Sequence, residues 1–226
     1  MTHTTGRARG PQDGDHPHGP GAASCPDFAW DDLYTGDGSD TPGPDPVLLA
    51  PVDGLSPGRA LDLGCGAGGN ALALAERGWR VTGVDLAPRA IASTRASACA
   101  RGLDDRVELA VADSATWQPE TAYDFALSSY ALPPRGPART ATFATLAAAL
   151  APGGILALGE WDEEACDGGE PGDLATLTEL TEALTGLGLD IVRAERQVVP
   201  RIQHPSEDHA VIVIARAPHD TLESAH

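Results

Sequence analysis

The order of apolar and polar positions divides the chain into short strands that alternate with longer amphipathic segments. Short apolar runs are typical of buried parallel strands, and apolar positions three and four residues apart are typical of helices that cover them. The strands are predicted at residues 60–63, 80–84, 106–111, 123–129, 155–160, 190–199 and 209–216. Long helices are predicted at residues 70–77, 88–101, 138–150 and 174–187, and a short helix is predicted at residues 28–34. The Pro-Gly-Gly step at residues 152–154 is expected to separate the third long helix from the strand that follows it. This alternation predicts an α/β fold, with a doubly wound, mostly parallel sheet and a closing pair of strands.

The ends of the chain differ in composition from its centre. Residues 1–26 are rich in Gly, Pro, His and Asp and hold almost no large apolar residue, which predicts a disordered arm. Residues 27–218 carry the alternating pattern, and residues 219–226 form a short tail. Because 226 residues suffice for one domain with a sizeable core, we expect a single domain between the two ends.

A glycine-rich turn joins the first predicted strand to the first predicted helix. Gly64, Gly66 and Gly68 lack a Cβ, so the backbone there can turn sharply and approach a ligand. The helix that follows directs free N–H groups back at this turn. Asp85 ends the second strand 19 residues after Gly66, about the offset at which a carboxylate reaches ribose hydroxyls in such units. The turn therefore predicts a site for a nucleoside-bearing cofactor.

Two further acids decide between the cofactors that such a turn can hold. The glycines also match the dinucleotide pattern Gly64-x-Gly66-x-x-Gly69, which by itself is a weak signal. Asp62 precedes the first glycine by two residues, where it can face the ammonium group of a bound amino acid and would repel a pyrophosphate. Asp113 follows the third strand, where it can accept from an adenine amino group. These acids favour S-adenosylmethionine over a dinucleotide.

Several segments carry a resemblance to a known family. They read LDLGCGAGGNALALAERGWRVTGVDLAPRAI, AVADSATW, YDFALSSYAL and LAPGGILALGE, in chain order. In this order they resemble the motifs of the class I S-adenosylmethionine-dependent methyltransferases. The opening segment FAWDDLYTGDGSDTPGPDPVL is similar to that of a bacterial subgroup of small-molecule and tellurite-resistance-like methyltransferases. The resemblance implies a seven-stranded Rossmann-like sheet with a C-terminal antiparallel hairpin, S-adenosylmethionine as cofactor and S-adenosylhomocysteine as product.

The resemblance also implies which residues surround the cofactor and the acceptor. The cofactor-binding residues are expected to be Asp62, Gly64, Cys65, Gly66, Gly68, Asn70, Asp85, Leu86, Asp113, Ser114 and Ser129. Four aromatic residues are candidates for the acceptor pocket, namely Trp30, Tyr34, Tyr130 and Trp161. Their rings could hold an apolar acceptor or stabilise the passing methyl cation, or they could simply cover the edges of the core.

The expected activity is methyl transfer to a small molecule by in-line displacement at the sulfonium methyl. Since positioning alone can supply roughly 7–11 kcal/mol of such a barrier, no catalytic residue is obligatory and none is assigned. Two alternatives stay open. The first is an NAD-dependent oxidoreductase, which both acids disfavour, and which cannot use a Tyr-Lys pair because the chain has no lysine. The second is a non-catalytic scaffold that binds S-adenosylmethionine.

Charge and cysteine content narrow the partners and the location. The formal net charge is −18, and all 15 basic residues are arginines, which argues against nucleic acid as the acceptor. No apolar run is long enough to span a membrane, and the four cysteines show neither paired nor zinc-like spacing, so no metal site is expected. We expect a cytoplasmic monomer or homodimer. A dense acidic run at residues 160–173 either attracts a cationic acceptor or forms a solvated loop.

Overall fold

The computed structural model describes residues 30–34, 43–165, 174–200 and 207–219. The predicted arm at residues 1–26 and the tail beyond His219 lie outside the described residues. Within the described ranges no helix is long and apolar enough to cross a membrane.

Seven strands of the described chain form one sheet in the order β3-β2-β1-β4-β5-β7-β6. Their bounds are β1 Arg59–Leu63, β2 Arg80–Asp85, β3 Val107–Val111, β4 Tyr123–Ser129, β5 Leu150–Trp161, β6 Asp190–Pro200 and β7 Glu207–Arg216. Strands β1 to β5 pair in parallel, whereas β7 runs antiparallel to both β5 and β6. The predicted doubly wound sheet with its antiparallel closing hairpin is therefore confirmed.

Helices join the strands and cover both faces of the sheet. Their bounds are α1 Pro46–Leu49, α2 Gly69–Glu76, α3 Pro88–Ala100, α4 Pro137–Ala149 and α5 Leu177–Gly186. Short 3-10 turns occupy Trp30–Leu33 and Ala50–Val52. The ends of α3 and α5 follow from local chemistry. Pro88 suits a first helical turn, and the Thr176 side chain caps α5 by accepting from the Glu179 N–H at 3.1 Å.

The core consists of two apolar layers, one on each face of the sheet. One layer packs α1 and α2 on the sheet and contains Leu48, Leu72 and Trp79. The other packs α4 and α5 and contains Leu146 and Leu180. Because both faces are buried, the carboxyl edge of the parallel strands is left as the accessible place for a ligand.

Several boundaries differ from the sequence prediction, most of all the start of β5. Strand β5 begins at Leu150 and runs through the Pro-Gly-Gly step that was expected to separate helix from strand. A Cβ on Gly154 would lie 2.8 Å from the Ala151 carbonyl oxygen and 2.9 Å from that of Tyr123, so glycine lets this tight crossing join the sheet. The expected helix at residues 28–34 is only a 3-10 turn where it is described, and α5 begins three residues later than predicted.

Candidate cofactor and acceptor site

The glycine turn after β1 is fixed to the end of β2. The N–H groups of Gly64 and Cys65 both donate to the Val84 carbonyl, at 2.7 and 3.0 Å. Gly64 and Gly68 have φ of 83° and 88°, a region that favours glycine. A Cβ on Gly68 would also lie 2.5 Å from Cγ2 of Thr94, in the neighbouring helix α3. The turn therefore requires glycine for both conformation and space.

Asp85 ends β2 and binds the glycine turn directly. Its Oδ2 accepts from the Gly66 N–H at 2.8 Å, and its Oδ1 accepts from the Ala87 N–H at 2.9 Å. On the other side of the turn, the Thr94 hydroxyl donates to the Gly66 carbonyl at 2.9 Å. A carboxylate has about four acceptor sites, so Asp85 keeps capacity for two ligand hydroxyls.

Asp62 is a buried carboxylate with no hydrogen-bond partner in the described chain. Its side chain is 1% exposed, and neither oxygen accepts a hydrogen bond. Burial, and to a smaller extent the negative charge of Asp85, raises the pKa of this carboxyl from 3.8 to about 7. The Ala71 N–H at the start of α2 lies close enough to lower this pKa, but outside hydrogen-bond geometry. A buried acid without a partner is costly, so this position fits a cationic ligand group.

Tyr34 lies over the glycine turn. Its hydroxyl oxygen is 2.9 Å from the place that a Cβ on Gly66 would occupy. Burial, then the charges of Asp85 and Cys65, raise the pKa of Tyr34 to about 12, so its hydroxyl is a neutral donor near neutral pH. This residue was grouped with the acceptor pocket, and the structure places it beside the predicted cofactor turn. The side chain of Trp30 lies outside what the structure describes.

The 3-10 turn that carries Tyr34 is tied to α3. The Arg89 N–H donates to Oδ1 of Asp31 at 2.6 Å, and Arg89 Nε lies 3.2 Å from Oδ2 of the same carboxylate. Arg89 also pairs with Asp32 at 3.3 Å. The N-terminal segment is thereby held across the edge of the site.

Asn70 and Cys65 support the turn from within. Oδ1 of Asn70 accepts from the Asp45 N–H at 2.7 Å, and Asp45 in turn caps α1 by accepting from the N–H groups of Val47 and Leu48. Asp45 was not among the predicted site residues. Cys65 is buried, and burial raises the pKa of its thiol, so it serves as a small packed side chain.

The ends of β2 and β3 form the predicted adenine side. Leu86 follows Asp85 and is 55% exposed, and Val111, the register partner of Asp85, is also exposed. Asp113 accepts from the Ala115 N–H at 2.8 Å and keeps its second oxygen for a ligand. The Ser114 hydroxyl shares a 3.0 Å hydrogen bond with the Thr142 hydroxyl of α4, so it is already engaged within the fold. Val111 was not among the predicted site residues, because its place in the sequence does not distinguish it from a buried strand residue.

Tyr130 and Trp161 form a stacked pair at the ends of β4 and β5. Their ring centroids are 4.4 Å apart, with 28° between the planes. Tyr130 directly follows Ser129 and has φ of 53°, and its N–H donates to the Gly159 carbonyl at 2.9 Å. Burial, then the charges of Asp45 and Glu160, raise the pKa of Tyr130, so its hydroxyl stays protonated. The sequence predicted Tyr130 and Trp161 as candidates for the acceptor pocket, but it did not predict that their rings stack on each other.

Part of the acidic run lies within the structure, and it is not a simple solvated loop. Glu160 is 4% exposed, and Asp162 is fully buried with its Oδ2 3.0 Å from Arg196 Nε. Glu163 pairs with Arg135, and Glu164 pairs with Arg196. The remaining acids, Asp167, Glu170 and Asp173, lie outside the described residues. The described acids are thus largely neutralised by arginines.

Known proteins resemble this chain over about half of its length. Residues 60–154 match the family model described as a methyltransferase domain. Trans-aconitate 2-methyltransferase from Streptomyces avermitilis is 38% identical over 115 residues, which are 49% of this chain and 42% of that protein. The chain thus spans less than half the length of this curated relative.

Solved structures share the fold over most of this chain. A chain from work on the conversion of a disulfide bond into a thioacetal group during echinomycin biosynthesis is 26% identical. It covers 84% of this chain and 92% of its own length, with a TM-score of 0.64. TehB from Haemophilus influenzae is 19% identical, covers 79% of this chain and 64% of its own length, and has a TM-score of 0.67, which supports the fold alone.

Proposed function

We propose that this chain is a class I S-adenosylmethionine-dependent methyltransferase that transfers a methyl group to a small-molecule acceptor, as the matched methyltransferase domain and the similar proteins support. When bound, S-adenosylmethionine supplies a sulfonium methyl that is already a strong electrophile. An acceptor lone pair forms the new bond to the methyl carbon while the carbon–sulfur bond breaks, and its electron pair stays on the sulfur of S-adenosylhomocysteine. The protein contributes position and a site from which water is excluded.

The observation that carries this proposal is the unpartnered, buried carboxylate of Asp62 beside the glycine turn. Asp62 would hold the ammonium group of the cofactor, and Asp85 would hold its ribose hydroxyls. Leu86 would cover one face of the adenine, and Asp113 would accept from its amino group. Tyr34 would donate its hydroxyl across the turn. Each role uses an atom that the described structure leaves available.

The same geometry disfavours the two alternatives. A dinucleotide would bring its pyrophosphate to the turn, within the field of Asp62 and Asp85, and anions at such turns are held by unopposed N–H groups. In this chain the Gly66 N–H is already bound by Asp85. A scaffold without turnover would need no accessible aromatic pair beyond the cofactor, so Tyr130 and Trp161 favour an enzyme.

The charges near the acceptor side favour a neutral or cationic acceptor over a polycarboxylate. Arg135 and Arg139 both bind Glu179, and Arg196 binds Asp162. Among the described residues, these arginines beside the carboxyl edge are already ion-paired. A tricarboxylate such as trans-aconitate needs cations that are not already engaged, because buried charge is stable only when it is compensated. We infer a planar acceptor that packs on the Tyr130–Trp161 pair.

A monomer or homodimer in the cytoplasm, without a nucleic-acid or membrane partner, stays a prediction. The likeness to the bacterial tellurite-resistance-like subgroup likewise stays a prediction beyond the shared fold.

Parallel calorimetric titrations with S-adenosylmethionine, S-adenosylhomocysteine and NAD test the cofactor. We expect micromolar binding of the first two and none of NAD, and binding of NAD alone would overturn the proposal. A turnover screen then compares planar phenols, hydroxyquinolines and aromatic amines with polycarboxylates, trans-aconitate included. Turnover of trans-aconitate in preference to every planar compound would contradict the inferred acceptor class while leaving the methyltransferase proposal intact.

A further inference from the structure

Glu160 joins two segments that flank the aromatic pair. It lies near the end of β5 with its side chain 4% exposed. Its Oε1 accepts from the Trp161 N–H at 2.9 Å, and its Oε2 accepts from the Leu132 N–H at 3.2 Å. Trp161 carries one ring of the pair, and Leu132 belongs to the loop that follows the other ring, that of Tyr130. A single carboxylate therefore bridges the two strand ends.

Arg139 of α4 binds the same loop with a positively charged side chain. It is 1% exposed, its Nε donates to the Pro133 carbonyl at 2.6 Å, and its Nη1 donates to the Leu174 carbonyl at 2.9 Å. Adjacent residues of one loop are thus bound by a buried acid and a buried base. Such charge-assisted bonds are stronger than neutral ones, and they give one defined arrangement of the backbone they hold.

The loop that this pair holds contacts both parts of the proposed site. Tyr130, at its start, has φ of 53° and is stacked on Trp161. A non-glycine residue in this region is strained and persists only where its surroundings hold it. Ala131, the next residue, packs so closely on the glycine turn that a Cβ on Gly64 would lie 2.2 Å from its own Cβ. The loop therefore connects the aromatic pair to the cofactor turn.

We propose that Glu160 is a positioning residue, which with Arg139 holds the Tyr130–Trp161 pair in place as one wall of the acceptor site. That the wall faces an acceptor rests on the proposed methyl transfer. In this role Glu160 acts through the loop backbone, because each of its oxygens accepts from a backbone N–H group.

The ionised form of Glu160 accepts more strongly from both N–H groups than the protonated form does, because hydrogen bonds to a charged acceptor are stronger. Burial is the main reason that the pKa of Glu160 rises from 4.5 to about 7, and the charge of Glu179 also raises it. The two N–H groups and Arg139 lower this pKa but do not cancel the effect of burial. Three charged or titratable groups interact with Glu160, namely Tyr130 in the loop after β4, Arg139 of α4 and Glu179 of α5. Loss of the charge below neutral pH should therefore loosen the pair.

Nitrogen-15 labelling of the four tryptophans of the full chain tests this directly. The Trp161 indole resonance is assigned by its loss in Trp161→Phe, and it is followed from pH 5.5 to 8.5. We expect it to titrate with a midpoint between pH 6 and 8, and the amplitude to fall at least fivefold in Glu160→Gln. In Asp62→Asn the titration should persist, which separates Glu160 from the other buried carboxyl whose pKa is about 7.

A Trp161 titration of unchanged amplitude in Glu160→Gln would overturn the proposal, as would its absence from the unaltered chain. If Glu160→Gln does not fold, exchange of the Leu132 amide in the unaltered chain decides instead. Its protection relative to neighbouring amides should fall at least fivefold below pH 6, and constant protection would contradict the role of Glu160. Binding of S-adenosylhomocysteine, measured on the same sample, reports separately whether the proposed function fails.

Discussion

Binding of S-adenosylhomocysteine should release a proton from Asp62 below neutral pH. Burial raises the pKa of this carboxyl to about 7 in the ligand-free protein, so at pH 6 about nine-tenths of the molecules carry the proton. An ammonium group beside the carboxylate favours the ionised form, because an opposite charge lowers a carboxyl pKa. Complex formation should therefore release about 0.9 proton at pH 6 and about 0.1 at pH 8. By linkage, affinity should rise about tenfold between these pH values.

Calorimetric titrations in buffers of different ionisation enthalpy measure the number of protons released. In Asp62→Asn, which has nearly the same volume, the release at pH 6 should vanish, and binding at pH 8 should weaken by about 1.5–3 kcal/mol. Glu160→Gln is the matched control, because its carboxyl is also buried with a pKa of about 7, and its release should match the unaltered chain. Proton release that survives in Asp62→Asn, or that is lost only in Glu160→Gln, would refute the assignment of Asp62.

Four further outcomes follow from the same geometry. Asp62→Asn should stabilise the ligand-free protein increasingly from pH 5 to 7.5. The pKa of Asp62 is higher in the folded than in the unfolded protein, so the unaltered protein loses stability as the pH rises through 7 and the Asp62→Asn protein does not. Melting temperatures of both proteins over this pH range check this. Gly68→Ala should lower the free energy of unfolding by about 2–4 kcal/mol, from strain and from a Cβ only 2.5 Å from a neighbouring methyl carbon. Gly102→Ala is its control in denaturant melts, with φ of 66° but open space around the new Cβ, and an equal loss in both would exclude the steric part. Asp85→Ala should weaken cofactor binding by roughly 2–4 kcal/mol, and unchanged affinity in a folded protein would remove Asp85 from the site. Deletion of residues 1–24 should leave the melting temperature nearly unchanged, and a large drop would show that the arm packs on the core.

The sheet could be predicted because its strands are local patterns with strong punctuation. The run 60–63, the glycine turn and Asp85 are close in sequence, and each is dictated by backbone geometry or by burial on both faces. The missed start of β5 has the opposite origin. Leu150 joins the sheet because it pairs with Tyr123, 27 residues earlier, and the Pro-Gly-Gly step that suggested a break instead permits a tight crossing. Local turn chemistry was overridden by strand pairing.

The sequence did not predict the contacts that join distant parts of the chain around the site. Asn70 stays a predicted cofactor-binding residue, and the structure adds that its side-chain carbonyl oxygen accepts from the Asp45 N–H, 25 residues away. Tyr34 lies over the glycine turn because Arg89 anchors its segment, a tie across 58 residues for the Asp31 hydrogen bond. Spacing along the sequence carries no information about such pairs, so the sequence could identify chemically suitable residues but not the side of the site each would face.

Two buried carboxyls with similar pKa values differ in their hydrogen bonds. Asp62 and Glu160 are both buried at the carboxyl edge, and burial raises the pKa of each to about 7. Glu160 has a backbone donor for each oxygen, and these two hydrogen bonds compensate its buried charge within the fold. Asp62 has no hydrogen-bond donor among the described residues, so its burial costs stability that a bound cationic group would offset. Two buried carboxyls with similar pKa values thus differ in role, because the fold supplies N–H donors to Glu160 and leaves Asp62 to a ligand.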